Sequence, residues 1–282
     1  MNKLLVICGP TATGKTKLAV CLASLFDGTI ISADSRQVYK YMDIGTGKDF
    51  KNILGYDLIE PDEDFSVSKY SHFANQKIRE IQEQNKLPIL VGGTGLYIKA
   101  ITDGIETLDV KPDEKLRKEL SDKSPFDLFK ILKKLNLKKA NSMNDSDKNN
   151  PRRLIRAIEI ANQISQNNIP ISKPKYEILF IGLTEPLEKL KQKIKDRVDE
   201  RIENGFQKEV DFLKKNNFWV GAPSKTLGYK DWPDSEKWKV EEFKYAKRQM
   251  TWFKKNPKIN WFDITQNNFK KNVESLVKRW YS

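Results

Sequence analysis

The sequence predicts an α/β fold of the phosphate-loop type: a parallel sheet with flanking helices and an inserted helical domain. Short apolar runs alternate with stretches of helical spacing, which is typical of a parallel sheet covered by helices. A glycine-rich loop follows the first apolar run and precedes the first helical stretch. A Lys-rich helical segment then interrupts the alternation before the apolar runs resume.

Five apolar runs are the predicted strands. They cover residues 4–9, 29–34, 87–93, 177–183 and 259–264. Helical spacing predicts helices over residues 17–25 and 67–84. Cys8 and Cys21 have no third or fourth cysteine partner, which argues against a disulfide framework or a cysteine-type zinc site. We expect both thiols to be buried.

The composition changes over residues 111–173. Two Lys-rich helical stretches, a polar gap over residues 141–150 and an Arg-rich helix from about Arg152 occupy this segment. The sequence therefore predicts a core made of residues 1–110 and 174–282, with residues 111–173 inserted as a helical domain.

The positive charge is unevenly distributed along the chain. The formal net charge is +13, yet residues 1–110 hold 12 basic and 14 acidic side chains. Residues 111–160 hold 14 against 8, and residues 239–282 hold 11 against 4. Two basic blocks indicate either a polyanionic partner or a general Lys-rich bias. No apolar run approaches membrane-spanning length, so we expect a cytoplasmic protein without a membrane partner.

Residues 9–16 match the phosphate-loop pattern G-x-x-x-x-G-K-[ST] between a predicted strand and a predicted helix. Backbone N–H groups of such a loop surround phosphate oxygens, Lys15 adds a charge, and Thr16 offers a hydroxyl to Mg²⁺. The predicted diphosphate- or nucleotide-binding residues are Gly9, Pro10, Thr11, Ala12, Thr13, Gly14, Lys15 and Thr16.

An aspartate that would complete a nucleotide-hydrolysing site is not evident at the end of the third or fourth predicted strand. The carboxylate found at a strand end is Asp34. Carboxyl ends of parallel strands share one edge of the sheet, so Asp34 should lie beside the phosphate loop. It could act as a general base, contribute to a metal shell, or cap a following helix.

Seven ordered motifs resemble those of bacterial tRNA dimethylallyltransferases and cover nearly the whole chain. They are GPTATGKT (9–16), DSRQVY (34–39), MDIGT (42–46), GGTGLY (92–97), RRLIRAIE (152–159), LGYK (227–230) and YAKRQMTWF (245–253).

The resemblance implies transfer of a dimethylallyl group from dimethylallyl diphosphate to N6 of the adenine 3′-adjacent to the tRNA anticodon. It implies Mg²⁺ held through Thr16 and the diphosphate, with a monomer as the default. Asp34 would accept the N6 proton, Thr94 would hydrogen-bond the reacting base, and Arg197 would offset charge on the departing diphosphate.

The partner would be a tRNA anticodon stem-loop, bound with its reacting adenine out of the stack. The residues expected to contact it are Asp34, Ser35, Arg36, Gln37, Thr94, Arg117, Arg152, Arg153, Leu154, Ile155, Arg156, Lys225, Gly228, Tyr229, Lys230, Lys247, Arg248, Gln249, Trp252 and Lys254. Arg36, Arg152 and Lys225 replace residues more usual in the family, and the stretch from 230 to 245 is shorter. These departures concern tRNA recognition.

Three other functions remain open from the residues alone. An adenylate dimethylallyltransferase would modify free AMP and need no RNA-binding surface. A small-molecule kinase would use residues 9–16 for ATP. An RNA-binding protein with a decayed phosphate loop is disfavoured because Lys15, Thr16 and Asp34 are all present.

Overall fold

The structure, a computed structural model, describes residues 2–105, 107–108, 110–164 and 176–282. The chain divides into two compact units, one formed by Met1–Asp103 with Pro174–Ser282 and the other by Gly104–Lys173. The sequence prediction places the boundaries after residues 110 and 173. The last part of the predicted insert, residues 165–173, lies outside the described residues.

The first unit contains a parallel sheet. Its strands are β1 (Lys3–Cys8), β2 (Gly28–Ser32), β3 (Leu87–Gly92), β4 (Glu177–Thr184) and β5 (Ile259–Asp263). They are ordered β2-β3-β1-β4-β5, with β1 paired to β3 and β4 in register Cys8 to Gly92 and to Gly182. The predicted α/β fold is confirmed. The order also places the ends of β1, β2 and β3 along one edge.

Helices are numbered in chain order through both units. They are α1 (Lys15–Leu25), α2 (Val67–Glu83), α3 (Gly95–Thr102), α4 (Glu114–Leu120), α5 (Pro125–Leu135), α6 (Leu137–Ser142), α7 (Asp145–Lys148), α8 (Pro151–Ile164), α9 (Leu187–Glu203), α10 (Phe206–Lys215), α11 (Ser235–Phe253) and α12 (Phe269–Tyr281), with 3₁₀ turns at Phe218–Val220 and Pro223–Lys225.

The sheet is covered on both faces. On one face, Leu18 and Leu22 of α1 and Val277 of α12 are buried in one apolar cluster with alternate sheet residues. On the other face, α2, α3, α10 and α11 contribute to a larger cluster, in which Trp238 and Phe206 are fully buried. Burial on both faces explains why the strands are continuous apolar runs.

Helix α1 differs in detail from its sequence prediction. Cys8 is buried in β1 as expected, but Cys21 is exposed, so the expectation of two buried thiols is wrong for Cys21. The buried positions of α1 are Leu18, Ala19 and Leu22. A cysteine is apolar enough for a core position. The face of α1 that packs in the apolar cluster is narrow, however, and Cys21 lies outside it.

The second unit is helical. Side-chain oxygens of Asp113, Ser124, Asn136 and Asn144 accept backbone N–H groups at the starts of α4, α5, α6 and α7. Asn144 thus starts a short helix inside the predicted polar gap. Fully buried leucines from α5 and α8 form the core of the unit. No helix in the described ranges is long and apolar enough to cross a membrane.

Candidate active site

A cavity of about 860 Å³ opens in the first unit where β1, β2 and β3 end. The phosphate loop and the segments after β2 and β3 line one part of it, and α9 and α11 line another. Its lining includes Asp34 and Arg197, two of the three residues predicted to take part in the chemistry, and Lys15 of the phosphate loop. The third predicted residue, Thr94, is not among the lining residues.

Glycine and internal hydrogen bonds set the shape of the phosphate loop. Gly9 has φ +135°, and a Cβ there would lie 2.5 Å from the Leu183 carbonyl oxygen, so only glycine fits without rearrangement. The Thr13 hydroxyl and the Lys15 ammonium donate to the Pro10 carbonyl at 2.9 and 2.7 Å. Thr16 lies in the first turn of α1 and lines the cavity.

Lys15 is a buried cation in this cavity. Burial and the positive charge of Arg197 lower the pKa of Lys15 to about 8, and the Asp34 carboxylate acts in the opposite direction. Arg197 donates from Nη1 to the Thr11 hydroxyl at 2.8 Å, which joins α9 to the phosphate loop. Two cations are therefore concentrated at one end of the cavity, an arrangement that suits a phosphorylated ligand.

Asp34 follows β2 in a turn and does not cap a helix. Its Oδ1 accepts the Arg36 backbone N–H at 2.8 Å, and residues 35–38 continue as turns. The alternative that Asp34 is a helix cap is therefore wrong. The other carboxylate oxygen takes part in none of the hydrogen bonds found in the described part of the chain, and the side chain lines the cavity.

Thr94 joins the end of β3 to the segment that carries Asp34. Its hydroxyl accepts the Ser35 backbone N–H at 3.0 Å, and its own N–H donates to the Ala33 carbonyl at 3.1 Å. The hydroxyl makes no capping bond to α3, although Thr94 precedes that helix. Gly92 permits this approach because a Cβ there would lie 2.2 Å from the Ala33 oxygen.

Gln249 of α11 is buried and bridges two parts of the site. Its Oε1 accepts the Thr11 N–H at 2.9 Å, and its Nε2 donates to the Gly93 carbonyl at 3.0 Å. The amide is thus already bonded to the phosphate loop and to the glycine turn after β3. Gln37, also expected to contact tRNA, is buried and donates to the Thr46 and Gly47 carbonyls.

Other residues expected to contact tRNA surround the cavity. Ser35, Arg36, Lys225, Lys230 and Arg248 line it. Lys247, Arg248 and Trp252 also line a shallower groove of about 390 Å³ on α11, with Lys244, Thr251 and Lys255. The Trp252 indole is 44% exposed and rests against Gly95, next to Thr94. Lys254 is exposed at the end of α11.

Two residues of the LGYK motif are internal. Tyr229 is fully buried and donates its hydroxyl to Glu209. A Cβ on Gly228, which has φ +86°, would lie 2.6 Å from the Trp238 ring. These residues stabilise the packing around the cavity, and their side-chain positions have no exposed surface for RNA.

In the second unit, the expected RNA-contacting residues have different surroundings. Arg117 and Arg156 both donate to the buried carboxylate of Glu159, at 2.6 and 3.1 Å for the shortest pairs. Arg153 pairs with Asp147, and Arg152 is exposed. Leu154 is fully buried and Ile155 is partly buried against the unit's core, so Leu154 offers no side-chain surface to RNA.

The sequence analysis did not single out Arg201, Glu242 or Tyr245, which also line the cavity. Burial and the nearby Asp34 carboxylate raise the pKa of Tyr245 above its ordinary value of 10. A signal for Arg201 is present in the sequence, because Lys193, Arg197 and Arg201 recur every four residues and share one helix face. Among the described residues, no group of three or more His, Cys, Asp or Glu side chains could hold a metal ion.

A family model described as IPP transferase matches residues 37–256, and one described as Isopentenyl transferase matches residues 2–56. The chain belongs to the IPP transferase family. It is 36% identical to a tRNA dimethylallyltransferase of Finegoldia magna, covering 99% of this chain and 98% of that protein. It is 38% identical to one from Acetivibrio thermocellus, covering 99% and 96%.

Solved structures of family members have the same fold. The full-length tRNA isopentenylpyrophosphate transferase of Bacillus halodurans aligns with a TM-score of 0.72 at 34% identity, covering 99% of this chain and 96% of that one. A eukaryotic dimethylallyltransferase acting on tRNA aligns with a TM-score of 0.76 at 23% identity, covering 98% and 78%. The fold therefore extends to relatives of low sequence identity.

Proposed function

We propose that this protein transfers a dimethylallyl group from dimethylallyl diphosphate to N6 of the adenine 3′-adjacent to the anticodon of a tRNA. The observation that carries the proposal is the juxtaposition of a phosphate loop with Asp34 in one cavity of an IPP transferase family member, where Thr94 is hydrogen-bonded to Ser35, the residue after Asp34. Relatives covering nearly the whole chain are tRNA dimethylallyltransferases. Residues around one cavity of one chain suffice for this chemistry, so we propose a monomer.

The diphosphate would bind at the phosphate-loop end of the cavity. Lys15, Arg197 and the N-terminus of α1 provide positive potential there. Thr16 lines the same cavity as Asp34, so its hydroxyl could serve as one protein ligand to Mg²⁺, with diphosphate oxygens among the others. Bound Mg²⁺ would neutralise charge on the diphosphate. The protein cations stabilise the same charge as it develops on the leaving group.

The adenine would enter from the side of Asp34 and Thr94. As the bond between N6 and C1 of the dimethylallyl group forms, the bond between C1 and the diphosphate oxygen breaks, and diphosphate leaves with that electron pair. Adenine N6 is a poor nucleophile because its lone pair is delocalised into the ring. Asp34 would accept the N6 proton through its carboxylate, which assists the attack.

The RNA would be held by cations that line the cavity and by those on α11. Arg36, Lys225, Lys230 and Arg248 suit phosphate contacts, and the exposed indole of Trp252 suits stacking beside Thr94. A free mononucleotide would use few of these groups. Their number favours tRNA over AMP as the acceptor.

The test is incubation with Mg²⁺, dimethylallyl diphosphate and an unmodified tRNA that has adenine 3′ of its anticodon, with AMP in a parallel reaction. We expect mass spectrometry to show the gain of one C₅H₈ unit on that tRNA adenine alone. Gain on AMP alone would replace the proposal with an adenylate dimethylallyltransferase. If neither tRNA nor AMP gains a C₅H₈ unit and the protein transfers phosphate from ATP to a small acceptor, the proposal would be replaced by a kinase function.

A further inference from the structure

Arg201 is a buried arginine in the cavity to which the proposed reaction assigns no role. It lies one turn after Arg197 on α9, so the two side chains project from the same helix face. Only 9% of the Arg201 side chain is exposed, yet it lines the same cavity as Thr11, Lys15 and Thr16.

The partners of Arg201 satisfy its guanidinium only in part. Its Nη1 lies 4.0 Å from Oε1 of Glu242, beyond hydrogen-bond distance, and its guanidinium carbon lies 5.9 Å from the centre of the Trp238 ring. No hydrogen bond within the described residues has this guanidinium as donor. Glu242 is also close to the Thr11 hydroxyl, at 3.4 Å, so the arginine lies near the phosphate loop.

The guanidinium groups of Arg197 and Arg201 lie close together at one place in the cavity. A Cβ placed on Gly47 would lie 2.3 Å from Nη2 of Arg197 and 2.8 Å from Nη2 of Arg201. Burial and the charge of Arg197 lower the pKa of Arg201 to about 10. Adjacent buried cations are costly unless an anion compensates them, and a guanidinium with free donors is well suited to phosphoryl oxygens.

We propose that Arg201 binds the diphosphate directly, as a second arginine beside Arg197. A diphosphate carries more charge and more acceptor oxygens than one phosphoryl group, which matches three cations, Lys15, Arg197 and Arg201, at one end of the cavity. Glu242 offsets part of the charge of Arg201 before the diphosphate binds. This inference rests on the proposed function in identifying the diphosphate as that of the allylic substrate.

A backbone phosphate of the tRNA is the other source of the same chemistry. The burial of Arg201 favours the small diphosphate as its ligand, because a bulky polymer reaches buried groups poorly. The exposed cations Lys225, Lys230 and Arg248 also line the cavity and are accessible to such a polymer. Loss of Arg201 should therefore affect diphosphate binding and leave tRNA binding unchanged.

The test measures binding of inorganic diphosphate with Mg²⁺ by titration calorimetry, with Arg201→Gln and the matched control Lys189→Gln, an exposed charge on α9 that does not line the cavity. We expect diphosphate to bind at least about tenfold more weakly to Arg201→Gln, since a lost charged hydrogen bond is worth about 1.5 kcal/mol or more. The control and the tRNA affinity of both variants should be unchanged. A smaller loss of diphosphate affinity, or weakened tRNA binding in its place, overturns the proposal.

A double variant separates direct contact from repulsion by an unpaired Glu242. We expect Arg201→Gln to weaken diphosphate binding by about the same factor in a Glu242→Gln background as in the unmodified protein. A loss that disappears when Glu242→Gln with Arg201→Gln is compared with Glu242→Gln alone would show that the Glu242 charge caused it and would overturn direct binding. Thermal unfolding of each variant establishes that it is folded. If Arg201→Gln does not fold, Arg201→Lys takes its place. This variant should lose affinity for inorganic diphosphate and keep its affinity for inorganic phosphate. Equal losses of affinity for the two anions would overturn the proposal.

These measurements do not depend on transfer to tRNA. Absence of C₅H₈ transfer by the unmodified protein would refute the proposed function, whereas diphosphate affinity reports on Arg201 in either case. Loss of transfer only in Arg201→Gln, with unchanged diphosphate affinity, would overturn this inference and leave the proposed function intact.

Discussion

Asp34 and Thr94 are held in place by backbone interactions, and the Asp34 side chain lines the cavity. Oδ1 of Asp34 accepts the Arg36 N–H, which fixes the carboxylate, while Thr94 is tied to Ser35. A general base gains efficiency from fixed geometry, because it need not be ordered at the moment of proton transfer. The positions of these two residues are thus determined before any substrate binds.

Asp34→Asn should remove the base while keeping the turn, because the amide oxygen still accepts the Arg36 N–H. We expect the single-turnover rate of dimethylallyl transfer to fall by about 100-fold or more, with tRNA affinity measured by filter binding little changed. Asp196→Asn is the control, since Asp196 lines the same cavity and its carboxylate accepts from Gln192. A rate for Asp34→Asn equal to that of the control would remove Asp34 from the base role.

At the scale of elements, α8 uses its arginines differently from α11. In α8, Arg156 joins Arg117 of α4 on the buried carboxylate of Glu159, which holds these two helices together. In α11, Lys247 and Arg248 are exposed beside Trp252. Part of the basic charge of residues 111–160 therefore stabilises its own unit.

Glu159 should make that stability depend on pH. Burial alone would raise the pKa of Glu159, but hydrogen bonds from Arg117, from the Asp113 N–H and from Arg156 together hold it below the ordinary 4.5. A carboxylate with a lowered pKa stabilises the folded state above pH 4.5, and this contribution is lost as the pH falls through the folded-state pKa.

We expect Glu159→Gln to lower the free energy of unfolding by about 2 kcal/mol at neutral pH and by progressively less below pH 4.5. Urea unfolding followed by circular dichroism at several pH values measures this difference. Glu119→Gln, which changes an exposed carboxylate of α4, should have little effect. A Glu159→Gln effect that stays constant down to acid pH would contradict the assignment.

At the scale of the whole molecule, the chain carries a net charge of +13, and the basic side chains of the first unit lie on both sides of the sheet. Basic side chains line the cavity and the groove on α11, whereas α12 covers the opposite face of the sheet. Phosphate contacts release counterions, so each cation that faces RNA adds to the salt dependence of binding. Exposed lysines on α12 should add little.

We expect Lys247→Gln with Lys254→Gln to reduce the slope of log affinity against log salt by about 1 to 2, and to weaken binding of different tRNAs about equally. Lys270→Gln with Lys271→Gln removes the same charge from α12 and should leave the slope unchanged. Filter binding at several salt concentrations measures both. Equal slope changes in the two double variants would show that overall charge, and not the α11 surface, attracts the RNA.

The sequence by itself determined the parallel α/β fold, the phosphate loop and the position of Asp34, because each depends on local features. Apolar runs, a phosphate-loop pattern of glycines and a carboxylate at a strand end can be recognised along the chain. Their meeting at one sheet edge follows from parallel topology.

Only the tertiary structure decided which charged and polar side chains face the cavity. Arg201 and Arg197 lie there, whereas Tyr229 and Arg117 are bonded to carboxylates elsewhere in the protein. The physical reason is that burial and partner choice depend on contacts between residues far apart in sequence.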